Sequence, residues 1–300
     1  MQFAIEAENL TKDFGNFRAV DSVNFTIERG ETFAILGENG AGKSTTMRMI
    51  ACRSPLTQGK LLVQGFDVAK DERQIRSIIG TVPQENNLDP DLNVRENLLI
   101  YSRYFRLSKS EAEQRTDELI DFINLKSKEN AKVDHLSGGM KRRLIIARSL
   151  IHRPKILLLD EPTTGLDPHV RQEIWEKLEE LRRLENITIV LSTHYMDEAE
   201  KLAQRLLLMS HGKIIIEGIP REIIKEKVKK YALEIREALD IELQIVKKEI
   251  IAQKRGSLHL YFADSPDELT YLMNFYENYP VLLRPSNLED VFLQTINNQS

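Results

Sequence analysis

Apolar positions along the chain fall into short uninterrupted runs that alternate with stretches of helical spacing. Phe33 to Leu36 is one such run, and after a glycine-rich break Met47, Met49 and Ile50 resume at helical spacing, which predicts strand, loop and helix. Lys155 to Pro162 is apolar over a length too short for a helix and sufficient for a strand buried on both faces, and it ends in two acids. Ile78–Ile79 and Ile187 to Leu191 read as further strands. Val170, Ile174, Leu178 and Leu181 recur at helical spacing beside Trp175, a stripe that belongs to a core. Asn93 to Tyr104 and Ser110 to Ile123 predict helices, the second opened by a capping box at Ser108 to Glu111. Arg205 to Ser210 and Lys213 to Glu217 flank His211 and Gly212 and predict a hairpin closing a sheet. Towards the C-terminus, Tyr231 to Ile235, the alternating Ser257 to Ala263, a helix from Pro266 to Tyr276 and another from Asn287 predict a small α+β unit. The basic cluster Lys225 to Lys230 reads as a solvated helix face.

The loop after the first run is Gly37, Glu38, Asn39, Gly40, Ala41, Gly42, Lys43, Ser44, Thr45. Its spacing fits a phosphate-binding P-loop. Glycines at 37, 40 and 42 let the backbone turn tightly and bring N–H groups against phosphate oxygens. Lys43 reaches the β- and γ-phosphates, Ser44 offers a hydroxyl to Mg²⁺, and the opening helix points its positive end at the anion. The chain is expected to bind a nucleoside triphosphate. The acids ending the Lys155 to Pro162 run make it a Walker B strand, since burying two carboxylates there is costly unless they are used. Asp160 is expected in the Mg²⁺ shell, and Glu161 is expected to orient and deprotonate the attacking water.

A third element, Leu136, Ser137, Gly138, Gly139, Met140, opens a helix-patterned stretch about twenty residues before the Walker B strand. A hydroxyl, free glycine N–H groups and a helix dipole there make a second anion site. The turn resembles the signature motif of ATP-binding cassette (ABC) ATPases. The resemblance implies a P-loop ABC cassette, an α/β fold with a mixed-sheet core and an inserted helical subdomain over about 86–152, within an ATP-binding domain over 1–225. Residues 226–300 would form the α+β accessory region, acting in dimerisation or regulation or as a stabilising cap.

The same resemblance implies roles for further residues. Ser137, Gly138 and Gly139 would meet the γ-phosphate held by the opposite subunit of a homodimer. Gln84 matches the Q-loop glutamine that touches Mg²⁺, Asp167 matches the D-loop and also suits a helix N-cap before Pro168, and His194 matches the switch histidine. Phe14 lies where the family places an aromatic on adenine, core packing being the other reading. Met140 departs from the commoner Gln. Residues 87–105, with SerGlyGlyMetLysArgArg and AspGluProThrThrGlyLeuAspPro, resemble the ATP-binding subunits of nodulation-factor (lipo-oligosaccharide) exporters and the wider drug and polyketide exporter group. That resemblance implies a separate polytopic permease docking on the helical segment after Gln84, and a cytoplasmic chain attached through it to the inner face of the membrane. Two other classes fit less well. A soluble ABC protein of ribosome or nucleic acid usually carries tandem cassettes or long insertions, and a regulatory module with a dead site would not need Lys43, Asp160, Glu161 and His194 intact.

Composition narrows the picture only slightly. A net charge of −4 gives no basic field for nucleic acid. The single cysteine, Cys52, expected on the helix after the P-loop, rules out an internal disulfide framework and suits a reducing compartment. No apolar run is long enough to span a bilayer, and Met1 to Glu8 does not read as a signal peptide.

Overall fold

The computed structural model describes residues 2–236 and 250–297 and divides into two units, Met1–Glu217 and Gly218–Ser300. In the first unit, β1 (Phe3–Phe14) and β2 (Phe17–Glu28) form an antiparallel hairpin, and β3 (Thr32–Gly37) runs into the glycine-rich loop and α1 (Lys43–Ile50). β4 (Gln58–Val63) and the two-residue β5 (Phe66–Asp67) complete an antiparallel sheet ordered β2-β1-β4-β5. After α2 (Glu72–Ile78), β6 (Ile79–Val82) enters a second sheet and the chain leaves into a helical insertion. There α3 (Val94–Tyr104), α4 (Lys109–Phe122) and α5 (Gly138–Ser149) pack on one another. The chain returns through β7 (Ile156–Asp160), α6 (Pro168–Glu185), β8 (Thr188–Thr193), α7 (Met196–Leu202), β9 (Arg205–Ser210) and β10 (Lys213–Gly218).

The second sheet is ordered β10-β9-β3-β8-β7-β6, and β3, β6, β7, β8 and β9 run parallel. Parallel strands covered on both faces must be apolar throughout, which is why β3 and β8 are buried along their whole length. Their carboxyl ends bring Gly37, Asp160 and Thr193 to one edge, where chains of this architecture bind ligands. The two-residue turn between β9 and β10 takes φ 47° at His211 and 77° at Gly212, as the twist of a hairpin demands. Gly212 donates to Ala41 O and accepts from Asp21 N, so the hairpin props the P-loop.

Two of the three insertion helices, α3 and α4, begin with a reciprocal capping box, Asn93 with Glu96 and Ser108 with Glu111. Cys52 lies beyond the end of α1 rather than on it, in a turn with φ 54°, because the helix stops at Ile50. The His152 ring stacks on Phe105, with centroids 3.7 Å apart and planes 5° apart, while Nε2 donates to Ile79 O at 3.1 Å, so one side chain fastens the end of α3 to the start of β6. Burial pushes its pKa down to about 4, and a second proton at Nδ1 would find no acceptor. Between pH 6.5 and 4 the unfolded chain therefore binds a proton that the folded chain refuses. Stability present above pH 6.5 should fall as pH drops through that window, by roughly 3 kcal/mol at most. Denaturant titrations at pH 7 and pH 4.5 should show His152→Gln losing distinctly less stability than wild type; an equal loss would disprove the linkage.

In the second unit, α8 (Pro220–Lys227) precedes β11 (Tyr231–Arg236), β12 (Ile251–Arg255), β13 (Leu258–Ala263), α9 (Asp267–Phe275), β14 (Val281–Pro285) and α10 (Leu288–Asn297). The strands form an antiparallel sheet ordered β12-β13-β11-β14. Because side chains alternate across a strand, Leu233, Ile235, Tyr261 and Ala263 face α9, while Ala232, Leu260 and Phe262 face Leu293 of α10. Arg284 holds Glu234 at 2.7 Å and Asp290 at 2.7 and 2.9 Å, fixing α10 against the sheet. The basic cluster is not one helix face: α8 ends at Lys227, and Lys229 beyond it bonds Asp264 at 2.6 Å.

Candidate nucleotide and hydrolysis site

Two glycines of the loop are fixed by space as well as by torsion. At Gly37, with φ 152°, a Cβ would lie 2.4 Å from Met209 O; at Gly42, with φ 108°, it would lie 2.6 Å from Ala19 O. Gly42 is the N-cap of α1, and Thr46 closes the first turn by donating to its carbonyl at 3.1 Å. Lys43 folds back beneath the loop, donating to Gly37 O at 2.8 Å and Glu38 O at 3.0 Å. Burial lowers the pKa of its ammonium, an effect opposed by Glu161, Asp160 and Glu38. Glu38, Asn39 and Gly40 are exposed, Ala41 is buried, and Ser44 and Thr45 are half-buried.

Asp160, at the end of β7, accepts from the hydroxyl of Ser44 at 3.0 Å and from that of Ser192 on β8. Glu161 follows with φ 46°, a left-handed conformation that costs a non-glycine residue on the order of 1–3 kcal/mol and persists only where its surroundings impose it. Its N–H donates to Ser192 O at 3.0 Å, and its carbonyl accepts from Arg142 at 3.1 Å. The buried carboxylate receives Gln84 Nε2 at 3.2 Å and Thr164 Oγ1 at 3.1 Å, with Lys43 Nζ 3.9 Å away. His194 Nδ1 lies 3.3 Å from Glu161 Oε1 without the alignment of a hydrogen bond. Lys43, Ser44, Gln84, Asp160, Glu161 and His194, distant in sequence, thus meet at the edge of one sheet.

Phe14 and Phe17 face each other as a pair in the β1–β2 hairpin and are 51% and 63% exposed, so neither packs in a core. Lys12 Nζ sits 4.8 Å from the Phe14 ring centroid. Phe17, not Phe14, lines the cleft of about 610 Å³ that also contains Asn39, Gly42, Lys43, Gln84 and His194. Ser137, Gly138 and Gly139 are not among its lining residues. Ser137 caps α5, its Oγ accepting from Met140 N at 3.3 Å, and stays exposed with Gly138. Gly139 is buried where a Cβ would lie 2.5 Å from Val170 Cγ1. Asp167 occupies the N-cap position of α6 but makes no side-chain cap bond, and it is exposed.

Several contributors were not evident from sequence. Arg142, buried in α5, donates to the carbonyls of Asp160, Glu161, Pro162 and Pro83. Its signal was its register, since Gly139, Arg142, Ile146 and Ser149 follow helical spacing along the buried stripe of α5. Glu198 on α7 is fully buried, accepts from Thr163 Oγ1 at 2.7 Å and Trp175 Nε1 at 3.0 Å, and has its pKa raised by burial. It thereby ties the turn after Glu161 to α6.

Comparison with known proteins gives this geometry a family. A family pattern described as "ABC transporter" matches residues 20–164. The chain is 42% identical to "Nod factor export ATP-binding protein I" of Rhizobium etli, over 97% of this chain and 92% of the relative. The protein of that name in Rhizobium johnstonii is 43% identical, over 97% and 94%. Among solved structures, cbiO1 from Clostridium perfringens, described as part of the ABC transporter complex cbiONQ, superposes with a TM-score of 0.71 at 30% identity, covering 76% of this chain and 92% of that one. The ATP-binding cassette MJ0796, solved as a dimer bound to ADP and Pi, gives a TM-score of 0.65 at 30% identity, over 72% and 98%. With the strand-loop-helix of Gly37 to Ser44 facing Asp160 and Glu161 across one sheet, the chain belongs to the ABC transporter family, as a subunit that binds and hydrolyses ATP.

Proposed function

We propose that this subunit powers an exporter whose membrane path is a separate polytopic permease, and that two copies close on two ATP molecules to drive it. The observation that carries the reading is near-full-length likeness to proteins named for export. Among the described residues no helix is long and apolar enough to cross a membrane, consistent with a permease on another chain and attachment at the inner membrane face. The cargo class favoured by the same likeness is a lipo-oligosaccharide.

The donor set suits Mg²⁺. Ser44, Gln84 and Asp160 offer a hydroxyl, an amide oxygen and one carboxylate, hard ligands that leave room for phosphate oxygens, and no group of three or more His, Cys, Asp or Glu suited to a metal occurs among the described residues. When bound, the ion would neutralise charge on the β- and γ-phosphates. Lys43 would hold the γ-phosphate and the Gly37 to Thr45 loop its neighbours, with the adenine against the exposed aromatic pair of Phe17, which lines the cleft, and Phe14 opposite it. Glu161 would take the proton of the attacking water, and His194 would steady the transferring group. Exposed Ser137 and Gly138, with Gly139 and Asp167, would face the partner copy's nucleotide. The permease would dock beside Tyr101, Tyr104 and Phe105, where Arg148 lies against the Tyr101 ring at 4.9 Å.

Affinity capture of the tagged protein from its native cells in mild detergent should recover a polytopic membrane protein. Ribosomal or DNA-repair proteins, with no membrane partner, would overturn the exporter reading.

A further inference from the structure

Helix α5 carries a buried cation that forms no ion pair among the described residues. Arg142 is 6% exposed, and its guanidinium is satisfied by main-chain carbonyls alone: Nε donates to Pro162 O at 2.6 Å, Nη2 to Asp160 O and Glu161 O at 3.1 Å each, and Nη1 to Pro83 O. Three acceptors are consecutive residues, Asp160 ending β7 and Glu161 and Pro162 following it, and the fourth immediately precedes Gln84. Burying such a cation is unfavourable, and its pKa falls to about 10. The planar fork of donors meets these four directions at once, which a lysine ammonium cannot do.

The acceptor that matters most is Glu161. Its left-handed backbone is gripped on both sides, by Ser192 at the N–H and by Arg142 at the carbonyl. Releasing the carbonyl would remove one of the two restraints on this strained backbone and so let the carboxylate leave Lys43, Gln84 and Thr164. Arg142 also lies one turn beyond Gly139, on the helix that Ser137 caps. We propose that Arg142 is a positioning residue that, from the helix capped by Ser137, holds the Glu161 backbone and the Gln84 segment so that the Glu161 carboxylate stays aimed at Lys43 and Gln84. The proposal rests on Glu161 being the base.

The test is a double-mutant cycle on the full chain, with ATP turnover and KM as readouts. Arg142→Lys should lower kcat about 10- to 100-fold with KM for ATP changed less than about threefold, and the same substitution in Glu161→Gln should change the residual kcat less than about twofold, because residues acting as a unit are non-additive. Wild-type kcat in Arg142→Lys, or an equal loss in both backgrounds, would overturn the role. Should Arg142→Lys not fold, Arg142→Gln replaces it in the cycle with the same expectation; failure of both to fold would make Arg142 a stability residue and overturn the proposal. Undiminished turnover in Glu161→Gln alone removes the base, and with it the proposal, and that single variant separates this outcome from a failure at Arg142.

Discussion

Glu161→Gln should lower steady-state ATP turnover by about 10²- to 10⁴-fold, the usual contribution of a positioned general base, while ATP affinity stays the same or tightens slightly. The substitution is nearly isosteric, and Gln84 and Thr164, which donate to Oε2 at 3.2 and 3.1 Å, retain an acceptor if the new amide presents its oxygen to them. What disappears is the ability to accept a proton and the negative charge 3.9 Å from Lys43 Nζ. Removing that charge lowers repulsion towards an incoming triphosphate, so binding has no reason to weaken. A phosphate-release assay and a nucleotide titration on the same preparation separate the two effects. Turnover within about threefold of wild type would take Glu161 out of the reaction, and a matching loss of affinity would recast it as a binding residue.

How far the site could be read in sequence depends on whether a feature is local. The loop from Gly37 to Thr45 must be contiguous, because neighbouring N–H groups have to converge on one anion, and so it is visible as a string. Asp160 and Glu161 were visible because an apolar run ending in two acids is anomalous. Arg142, Ser192, Glu198 and Phe17 were not, since each matters through a partner on another element: Arg142 through carbonyls up to 59 residues away, Glu198 through Thr163, 35 residues away. A charged residue on a buried helical stripe reads as surface unless the stripe is followed through it. In the second unit, β13 is covered on both faces and reads as a nearly unbroken buried run, whereas the edge strands β12 and β14 escaped notice, β14 mixing half-buried and exposed positions without a period. The asparagine-based capping box at Asn93 and Glu96 was legible in principle, with the same chemistry as Ser108 and Glu111.

Lys43→Met should weaken ATP binding by about 30- to 5,000-fold, equivalent to the 2–5 kcal/mol typical of removing one partner from a buried charge contact. The free protein should be nearly indifferent to the same change. Lys43 is only 4% exposed, and its ammonium rests on two carbonyls and a carboxylate at the outer limit of an ion pair. Desolvation is the main influence on it and lowers its pKa, so in the absence of nucleotide the charge is held in an environment that disfavours it. A methionine of similar length fills the space without that cost, and replacing a buried ion by an apolar residue is often neutral or stabilising. Phosphate oxygens reverse the balance by supplying the acceptors and negative charge that burial withholds. Thermal melts with and without ATP therefore distinguish a binding role from a structural one. Wild type should gain stability with ligand concentration by mass action, whereas Lys43→Met should melt within a few degrees of unliganded wild type and gain almost nothing. A variant that keeps the full ATP-induced shift would show that the cation under the loop is a strut for the fold and not the hand that holds the triphosphate.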